Sequence, residues 1–373
     1  MISAFVWLAS AVYVLGGIWL WFGLRRPAPA ANETAPFVSV IVAARNEAHR
    51  IPPLLDDLAA QTYPAYEVLI VDDRSTDATA GIVRAAASSV HAGRLRLINQ
   101  RDVPVGMSPK KLALQKGIEA SRGELLLLTD ADCRVRPGWI SETVRYFEPD
   151  VAMVLGYSEL TVDHGSSLFE RVQAFEFLTL VAMMAASANL TYPLGASGQN
   201  IAFRRSAFER VGGYTSVMHR IAGDDMLMLQ LIKRTTEVGR IVYADHTGAR
   251  NRTYPEKTWR AFRNQRARWA SSGTHHFRSD TLFMTYALAS LVANMTVLFG
   301  AAWAWAGWIS RLTWVMTVAL KLGVDLLLYT SACRRFNQLG LLRYLPLWFL
   351  SQPLYMLAMA VWGQQRHRWT WKP

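Results

Sequence analysis

Residues 125–133, LLLLTDADC, decide the fold of this chain. Four consecutive leucines predict a strand that is buried on both faces, as in the parallel sheet of an α/β protein. Two carboxylates, Asp130 and Asp132, follow where this strand ends. Because ligands of open α/β sheets bind outside the carboxyl ends of the strands, these carboxylates can hold a cation and, through it, a phosphate. A plain polar turn is the alternative for so short a motif.

The segments around this strand alternate between strand and helix patterns. Predicted strands cover residues 37–43, 67–71, 94–99 and 125–128, and predicted helices cover residues 50–61, a run that ends at residue 88, and residues 110–121. Such alternation requires right-handed crossovers and predicts a mostly parallel sheet. The second strand also ends in acids, Asp72 and Asp73. The two strand ends would lie on the same edge of the sheet. Two acidic pairs at one edge favour a ligand site over two unrelated polar turns.

The composition limits the class of protein. The chain has 373 residues, a formal net charge of +12 and a hydrophobic content of 51%. Neither zinc-finger spacing nor alternating basic and aromatic residues point to nucleic acid, so we expect this charge to face a lipid surface and a nucleotide. The cysteines, Cys133 and Cys333, imply neither a disulfide framework nor a cysteine metal site, which fits a reducing compartment. Five histidines have no metal-ligand spacing and are interpreted as structural or loop residues: His164, His219, His246, His275 and His276.

The N-terminal segment is predicted to be a membrane anchor. Residues 2–24 carry no charged side chain and are long enough to span a bilayer. Arg25 and Arg26 follow directly, which predicts a signal anchor over residues 1–26 with everything after it in the cytoplasm. A cleavable signal peptide is the alternative, since residues 28–30 resemble a cleavage site, but the missing basic n-region argues against it.

The C-terminal membrane region is predicted to cover residues 281–363. Residues 282–309 have no charged side chain and should span the membrane. Residues 312–333 are also long enough to span. Within them, Lys321 and Asp325 lie four residues apart on one face of a helix, where they can pair or line a polar site.

The number of C-terminal spans stays open. Residues 344–363 are apolar but interrupted by Pro346 and Pro353. If this segment spans the membrane, the basic tail of residues 364–373 lies outside, which conflicts with the positive-inside rule. A re-entrant or interfacial final segment would resolve the conflict. Three and four spans in total are therefore both possible from the sequence.

Six short motifs follow one another between residues 37 and 273. They are Ala44-Arg45-Asn46-Glu47, Asp72-Asp73 with Thr76-Asp77, Lys110-Lys111 before Ala113-Leu114, Asp130-Ala131-Asp132, Gly223-Asp224-Asp225, and Gln265-Arg266-Ala267-Arg268-Trp269. Their order and spacing resemble family 2 glycosyltransferases, which include cellulose, chitin and hyaluronan synthases and ceramide glucosyltransferase. The resemblance implies a membrane-integrated hexosyltransferase with a GT-A fold, a Rossmann-like and mostly parallel sheet, in a cytoplasmic domain over residues 32–273.

The resemblance also implies a nucleotide-sugar donor, by family a UDP-sugar, and Mg²⁺ or Mn²⁺ as cofactor. The departing diphosphate becomes more negative as the glycosidic bond breaks, so charge compensation is the largest demand. By resemblance Asp132 holds the metal, while Asp130 supports it and faces the nucleotide. The other implied donor-binding residues are Glu47 and Asp73 at the uridine or ribose, Asp72 as a strand-end partner, and Lys110 or Lys111 beside the base or phosphate. A solvated pair at a helix N-terminus is an equally open interpretation of the two lysines.

The acceptor is expected to be a hydroxyl, which needs a base to take its proton during attack. The resemblance assigns this role to Asp225, with Asp224 as the supporting acid at the start of a helical run. Neighbouring acids and partial burial would raise the pKa of one of the two. A helix cap is the alternative, because helix N-termini favour acidic residues. In the family, the loop of residues 195–200 lies near the acceptor, and a plain turn is the alternative there.

The last motif places Gln265, Arg268 and Trp269 on one face if residues 258–270 form a helix. The resemblance implies catalytic roles here: Arg268 neutralises the departing diphosphate and Trp269 walls the acceptor channel. A basic amphipathic helix on anionic lipid is the rival interpretation, and both can hold. Nearby, residues 177–188 are apolar but too short to span, which predicts a buried or interfacial segment.

The sequence therefore predicts an integral protein of the inner or plasma membrane with a cytoplasmic catalytic domain. The predicted reaction is an inverting transfer of a sugar from a nucleotide-diphosphate sugar to a hydroxyl of a membrane lipid. Diacylglycerol, ceramide, a polyprenyl phosphate and a hydroxylated carotenoid all fit as the acceptor. A processive polysaccharide synthase is the second hypothesis, ranked lower because polymer export usually needs more spans. A catalytically inactive nucleotide-sugar-binding scaffold is the third, and the intact acids argue against it.

Overall fold

In a computed structural model of the chain, residues 1–89, 93–271 and 280–363 are described. Contacts divide the chain into two compact units. The helical unit contains residues 1–26, 162–187 and the described residues from 255 onward, and the sheet unit contains the described residues of 27–161 and 188–254. The domain expected from the sequence, residues 32–273, is divided differently, because residues 162–187 and 255–271 group with the helical unit. The tail of residues 364–373, the boundary at residue 273, His275 and His276 lie outside the described residues.

Ten strands are present among the described residues. In chain order they are β1 Val38–Ala44, β2 Tyr66–Asp73, β3 Leu95–Gln100, β4 Leu125–Leu128, β5 Arg134–Val135, β6 Val151–Gly156, β7 Ser158–Leu160, β8 Ile201–Arg204, β9 Arg240–Ala244 and β10 Asn251–Thr253. Seven form one sheet in the order β3-β2-β1-β4-β8-β6-β9, and β5, β10 and β7 form a second. In the large sheet only β8 runs antiparallel to its neighbours. The predicted mostly parallel α/β sheet is confirmed.

The register of the large sheet brings the predicted strand ends together. Ile41 of β1 pairs with Leu128 of β4, and Ala44 of β1 pairs with Asp72 of β2. Every residue of β1, β2 and β4 is buried, as their continuous apolar runs predict. The loops that follow these three strands therefore leave from the same edge of the sheet.

Twelve α-helices occur among the described residues and are numbered in chain order. Those of the sheet unit are α2 Ile51–Ala59, α3 Thr79–Ala87, α4 Pro109–Ala120, α5 Trp139–Val144, α7 Arg205–Arg210 and α8 Asp224–Arg234. Those of the helical unit are α1 Ile2–Leu24, α6 Leu168–Asn189, α9 Trp259–Ser271, α10 Thr281–Trp305, α11 Arg311–Arg335 and α12 Leu345–Trp362. Short 3-10 helices lie at Thr215–Val217, Thr236–Val238, Thr247–Ala249 and Leu339–Tyr344. The ends predicted for α2, α4 and α9 agree with these bounds to within two residues.

Two helix starts in the sheet unit carry predicted site residues. Helix α4 begins with Pro109, and Ser108 before it accepts a hydrogen bond from the Lys111 amide at 3.4 Å, a favourable N-terminal arrangement. Helix α8 begins after Gly223, whose φ of +80° is a left-handed conformation that glycine adopts without strain. The two acids that follow lie in the first turn of α8, where the helix dipole favours negative charge.

Helices α1, α10 and α11 pack against one another in the helical unit. A Cβ atom built on Gly17 of α1 would lie 2.3 Å from Val324 Cγ1 of α11, so glycine permits this close approach. Lys321 Nζ lies 2.5 Å from Asp325 Oδ2, so of the two alternatives left open by the sequence, the residues pair. The Tyr13 hydroxyl of α1 donates to Asp325 Oδ1 at 2.5 Å. This polar cluster therefore connects α1 to α11.

Five helices of the described residues are long and apolar enough to cross a membrane, by length and composition: Ile2–Leu24, Leu168–Asn189, Thr281–Trp305, Arg311–Arg335 and Leu339–Trp362. One of them corrects the sequence analysis. Residues 177–188 are not a short separate segment but the second part of α6, which begins at Leu168 and has 22 residues. The charged side chains of Glu170, Arg171 and Glu176 interrupt the apolar pattern and conceal the first part of this helix.

Candidate active site

The two acids at the end of β2 have different surroundings. Asp73 is fully buried, and its carboxylate accepts hydrogen bonds from Arg74 Nε and Gln100 Nε2, both at 2.8 Å. Asp72 Oδ2 accepts a weaker bond from the Ser75 amide at 3.3 Å. Asp72 Oδ1 is buried and has no hydrogen-bond partner in the part of the chain that is described. Of these two acids, only Asp72 has a carboxylate oxygen without a hydrogen-bond partner among the described residues.

The loops after β1 and β2 are bound to each other. Asn46, with a φ of +54°, accepts a hydrogen bond from the Thr76 amide at 2.9 Å, and its own amide donates to Ser75 Oγ at 2.9 Å. The Glu47 amide donates to Thr79 Oγ1 at 2.8 Å, and the Glu47 side chain is buried. These bonds hold Glu47 at the same sheet edge as Asp72.

Lys110 links the acids after β4 to the acids of α8. Its Nζ lies 2.8 Å from Asp130 Oδ1 and 2.9 Å from Asp224 Oδ2. Burial lowers the pKa of Lys110, but the two carboxylates outweigh it and hold the pKa well above its ordinary value. Lys110 is therefore a permanent cation between two motifs that are almost a hundred residues apart in the sequence.

The Asp130 and Asp132 carboxylates are the predicted metal ligands. Burial and the neighbouring Asp130 charge raise the pKa of Asp132, although Arg50 NH1 lies 3.2 Å from its Oδ2. Such mutual repulsion is what a divalent cation relieves. No group of three or more His, Cys, Asp or Glu side chains suitable for a metal occurs among the described residues. Two hard carboxylates fit Mg²⁺ or Mn²⁺, ions that complete their shells with water and substrate phosphate.

Lys111 supports a loop and, unlike Lys110, does not pair with Asp130. Its side chain is fully buried, and its Nζ donates to the carbonyl oxygens of Arg220 and Ala222, the latter at 2.8 Å. Burial lowers the pKa of Lys111 to about 8. The Ser108 hydroxyl also donates to the Ile221 carbonyl at 3.1 Å. The start of α4 thereby fixes the loop that leads into Asp224 and Asp225.

The adjacent acids of α8 have opposite pKa shifts. Burial and then the Asp224 charge raise the pKa of Asp225 to about 6. Burial alone would also raise the pKa of Asp224, but Lys110 and Lys111 outweigh it and lower the pKa below the ordinary value. Two carboxyl groups whose pKa values are pushed apart are typical of an acid–base site. Asp224 stays ionised, while Asp225 can take up a proton near neutral pH.

The loop of residues 195–200 lies directly against these acids. The Gly198 amide donates to Asp225 Oδ2 at 2.8 Å. A Cβ atom on Gly198 would lie 3.0 Å from Asp224 Oδ2, so a larger residue would press on that carboxylate. At the end of the loop, Asn200 accepts from Trp139 Nε1 at 3.0 Å and donates to the Tyr157 carbonyl at 3.1 Å. The loop is thus more than a plain turn, because Asn200 anchors it and Gly198 contacts Asp225.

Gln265, Arg268 and Trp269 belong to α9 in the helical unit. Gln265 Nε2 donates to Glu256 Oε1 at 3.1 Å, and the Trp269 ring lies 5.9 Å from the Phe177 ring. Arg268 is half-buried. The predicted helix and its shared face are confirmed, while the catalytic roles of these three residues stay predictions.

A neighbouring arginine of α9, Arg266, is buried, which the sequence analysis did not predict. Arg266 is 1% exposed and forms an ion pair with Glu176 at 2.5 Å, and Tyr355 donates to the same carboxylate at 2.7 Å. Its guanidinium lies 4.2 Å from the Trp269 ring centre and donates to Gln265 Oε1. Arg266 therefore contacts two residues of the motif. The available signal was Glu176, a carboxylate within a largely apolar helix, which requires a buried partner.

A mostly parallel α/β sheet with acids at the ends of β2 and β4 and at the start of α8 defines a GT-A-like glycosyltransferase. The model of glycosyl transferase family 21 matches residues 3–373, and the chain belongs to this family. The family falls within the family 2 clade, so the resemblance of the six motifs is confirmed.

Several relatives share part of the chain. Glycosyltransferase AglE of Haloferax volcanii is 30% identical over 211 residues, which cover 56% of this chain and 64% of that protein. A beta-monoglucosyldiacylglycerol synthase of a Nostoc species is 34% identical over 30% of this chain and 24% of its own length. A dolichyl-phosphate beta-glucosyltransferase of Dictyostelium discoideum is 34% identical over 26% of this chain and 31% of its own length. The match thus spans less than two thirds of each of these relatives.

One solved structure is similar along almost the whole chain. A mannosyltransferase from Pyrobaculum calidifontis, in complex with GDP-Man and Mn²⁺, has a TM-score of 0.64 and 21% sequence identity. The similarity covers 99% of this chain and 100% of that one. At this level of identity the comparison shows a shared fold.

Proposed function

We propose that this protein is an inverting glycosyltransferase that moves a sugar from a nucleotide-diphosphate sugar, by resemblance a UDP-sugar, to a hydroxyl of a membrane lipid. The observation that carries the proposal is the pair Asp224 and Asp225, whose pKa values are shifted in opposite directions. Lys110 connects this pair to Asp130 at the sheet edge. A base and a donor-binding edge are thereby joined by one side chain.

The donor would bind at the ends of β1, β2 and β4. Asp72 Oδ1, which has no partner among the described residues, suits an N–H or O–H group of the nucleotide. Asp130 and Asp132 would hold Mg²⁺ or Mn²⁺, which when bound supplies positive charge to the leaving diphosphate. Asp73 is bonded to Arg74 and Gln100, so its contribution is to hold this edge in shape.

Asp225 would act as the general base. The acceptor oxygen attacks the anomeric carbon of the sugar, its proton passes to an Asp225 carboxylate oxygen, and the bond to the diphosphate breaks with its electron pair on the phosphate oxygen. A single displacement of this kind inverts the anomeric configuration. It needs one base and no enzyme nucleophile, and Asp225, whose pKa is raised to about 6 beside Asp224, fits that base.

The arrangement of α6 supports an acceptor that arrives from the membrane. Arg335 at the end of α11 donates to the Leu24 carbonyl, so α1 and α11 finish at the same end of the bundle. Gly23 at the end of α1 lies against the Ala186 oxygen near the end of α6. Near the other end of α6, Arg171 lines the same cavity as Tyr344, which follows soon after α11. Both ends of α6 therefore contact the same end of the bundle, as an interfacial helix would.

Both ends of helix α12 also lie at the same end of the helical bundle. It follows the 3-10 helix Leu339–Tyr344, and its last residue, Trp362, has its ring 5.8 Å from the ring of Trp259 in α9. Helix α9 packs along α6, since the Phe262 and Phe169 rings are 5.4 Å apart. Both ends of α12 thus lie on the α6 side of the bundle, which supports a re-entrant segment.

These contacts favour three spans, formed by α1, α10 and α11, with the catalytic acids and the chain after α12 in the cytoplasm. This topology agrees with the positive-inside rule. A reporter fused after residue 373 is expected to be cytoplasmic. An external reporter would contradict the three-span topology without bearing on sugar transfer.

The proposed activity is tested with the purified full chain, labelled nucleotide sugars, Mn²⁺ and membrane lipid extracts. We expect a labelled glycolipid from the wild type and almost none from Asp225→Asn. Asp56→Asn, which changes an exposed aspartate of α2, is the matched control and should keep full activity. A long polymer on a gel would support a polysaccharide synthase instead. Tight donor binding without turnover in any extract would support a scaffold.

A further inference from the structure

The helical unit contains a cavity of about 360 Å³ that the proposed reaction does not use. It lies between the segment before α6 and the 3-10 helix Leu339–Tyr344. Polar and charged side chains dominate its wall: Asp163, His164, Arg171, Gln338, Arg343 and Tyr344. Val162 and Leu341 add an apolar portion. The cavity is thus a mixed site, polar on one part of its wall and apolar on another.

Two arginines give the cavity its charge. Arg171, Arg343 and Tyr344 line the same cavity, and the Arg343 guanidinium lies 4.9 Å from the centre of the Tyr344 ring. Within the described residues, neither guanidinium forms an ion pair with a carboxylate, and Arg171 donates instead to the Ser166, Asp163 and His164 carbonyls, which leaves its NH1 for a ligand. Such guanidinium groups are strong donors for an anion, and arginine is well suited to phosphate.

Arg171 is held in place before any ligand binds. Its Nε donates to the Ser166 carbonyl and its NH2 to the Asp163 carbonyl, both at 2.8 Å. The Asp163 carboxylate is the acidic group of the wall, and it accepts bonds from the Gly165 amide at 2.9 Å and the Ser166 hydroxyl at 3.1 Å. These two hydrogen bonds within the same turn partly compensate the negative charge of Asp163.

The cavity lies at the cationic end of the helical bundle. Arg25 and Arg26 follow α1, Arg334 and Arg335 end α11, and Arg335 bonds to the last residue of α1. Arg343 follows a few residues later. Clusters of arginine at the ends of apolar helices face the lipid headgroups, and basic pockets there bind anionic headgroups.

We propose that this cavity binds the phosphate group of an anionic membrane lipid. The guanidinium groups of Arg171 and Arg343 and the Tyr344 hydroxyl bind the phosphate oxygens, and Val162 and Leu341 contact the glycerol and the first carbons of the chains. This site goes beyond the sugar transfer and does not depend on Asp225.

The test titrates the full chain in detergent with dioleoyl phosphatidylglycerol and counts bound lipid by native mass spectrometry. We expect Arg343→Ala to weaken this binding about fivefold, the effect of losing one arginine at a headgroup. Arg343 is exposed, so its loss should not unfold the protein. Arg334→Ala removes an exposed arginine from the same end of the bundle but outside the cavity wall, and it should leave the affinity unchanged.

Two further ligands test which part of the lipid the cavity recognises. Diacylglycerol, which has no phosphate, should not compete with phosphatidylglycerol, and inorganic phosphate should compete only at far higher concentration. Equal losses in Arg343→Ala and Arg334→Ala would overturn the cavity as the site. Competition by diacylglycerol at equal concentration would overturn the role of the phosphate. Inorganic phosphate that binds as tightly as the lipid would overturn the lipid as its source.

Discussion

The sheet unit and the helical unit both bury carboxylates beside cations, but they leave them in different states. In the sheet unit, Asp72 keeps an oxygen without a partner among the described residues, and Asp225 has its pKa raised to about 6. In the helical unit, both oxygens of Glu176 are bonded, one to Arg266 at 2.5 Å and the other to Tyr355 at 2.7 Å. Asp72 thus lacks a hydrogen bond and Asp225 has a perturbed pKa, whereas the hydrogen bonds of Glu176 are complete.

This difference suggests that Asp72 and Asp225 serve ligand binding and catalysis, while Glu176 serves the packing of helices. A buried polar atom without a partner costs free energy, and such costs are retained where a ligand supplies the missing bond. A buried ion pair with all its bonds made fixes how helices pack, although its net stabilisation is small. We therefore expect substitutions of Asp72 and Asp225 to change activity more than stability. Substitutions in the Glu176 cluster should do the reverse.

The largest expected effect is that of Asp225→Asn. An amide cannot accept the proton of the attacking hydroxyl, so kcat should fall by about 10²- to 10⁴-fold, the usual contribution of a general base. The free energy of unfolding should not decrease, because burial and the Asp224 charge already disfavour the ionised form. Initial rates and denaturant unfolding of the same preparations measure both quantities. Near-normal turnover would remove Asp225 from the mechanism.

The second effect is that of Glu176→Gln on stability. The substitution leaves the Arg266 guanidinium buried without its counter-charge, which should lower the free energy of unfolding by about 3 to 5 kcal/mol. Thermal and urea unfolding in detergent give this value. The double variant Glu176→Gln with Arg266→Gln should recover part of the loss, since no buried charge is then unpaired. If the single variant were as stable as the wild type, the Glu176 cluster would not be structural.

The third prediction compares the neighbours Asp72 and Asp73. Asp73→Asn removes the charge that Arg45 and Arg74 face, so it should destabilise the sheet unit by about 1 to 3 kcal/mol. Asp72→Asn should leave stability unchanged and raise the donor KM by roughly tenfold, because its open oxygen is kept for the ligand. Calorimetric donor binding and unfolding curves distinguish the two. The opposite pattern would reverse the assignment of the two acids.

The smallest effect is the pH dependence. A raised pKa means that Asp225 is protonated over a wider pH range, so the active base is lost as the pH falls through about 6. Between pH 7.5 and pH 5, kcat/KM should fall about tenfold, as expected for one ionisation. The residual activity of Asp225→Asn should not show this fall. An identical fall in that variant would assign the ionisation to another group.

The fold and the strand-end acids could be predicted because they depend on local patterns. The leucines of β4 and the apolar runs of β1 and β2 define buried strands, and parallel strands bring Asp72 and Asp130 to one edge. The helix starts at Lys110 and Asp224 were also visible in the sequence. These features need no knowledge of which distant residues touch.

Three other features depend on tertiary contacts. Nothing in the sequence distinguishes Lys110, which bridges two carboxylates, from Lys111, which holds a loop through backbone carbonyls. In the sequence, Arg266 is one of several arginines of α9, and only its contact with Glu176 of α6 shows that it is buried. The full length of α6 was not predicted for the same reason, since its buried charge, Glu176, is compensated by Arg266 and Tyr355, far along the chain.

The bridge made by Lys110 has a consequence for changing the specificity of this protein. One ammonium group contacts Asp130 at the proposed donor site and Asp224 beside the proposed base. A variant made at Asp130 to accept a different donor would leave Lys110 paired with Asp224 alone and alter the base as well. Substitutions at the two ends should therefore be strongly non-additive. New donor specificity is best sought in libraries that vary positions 110, 130 and 224 together.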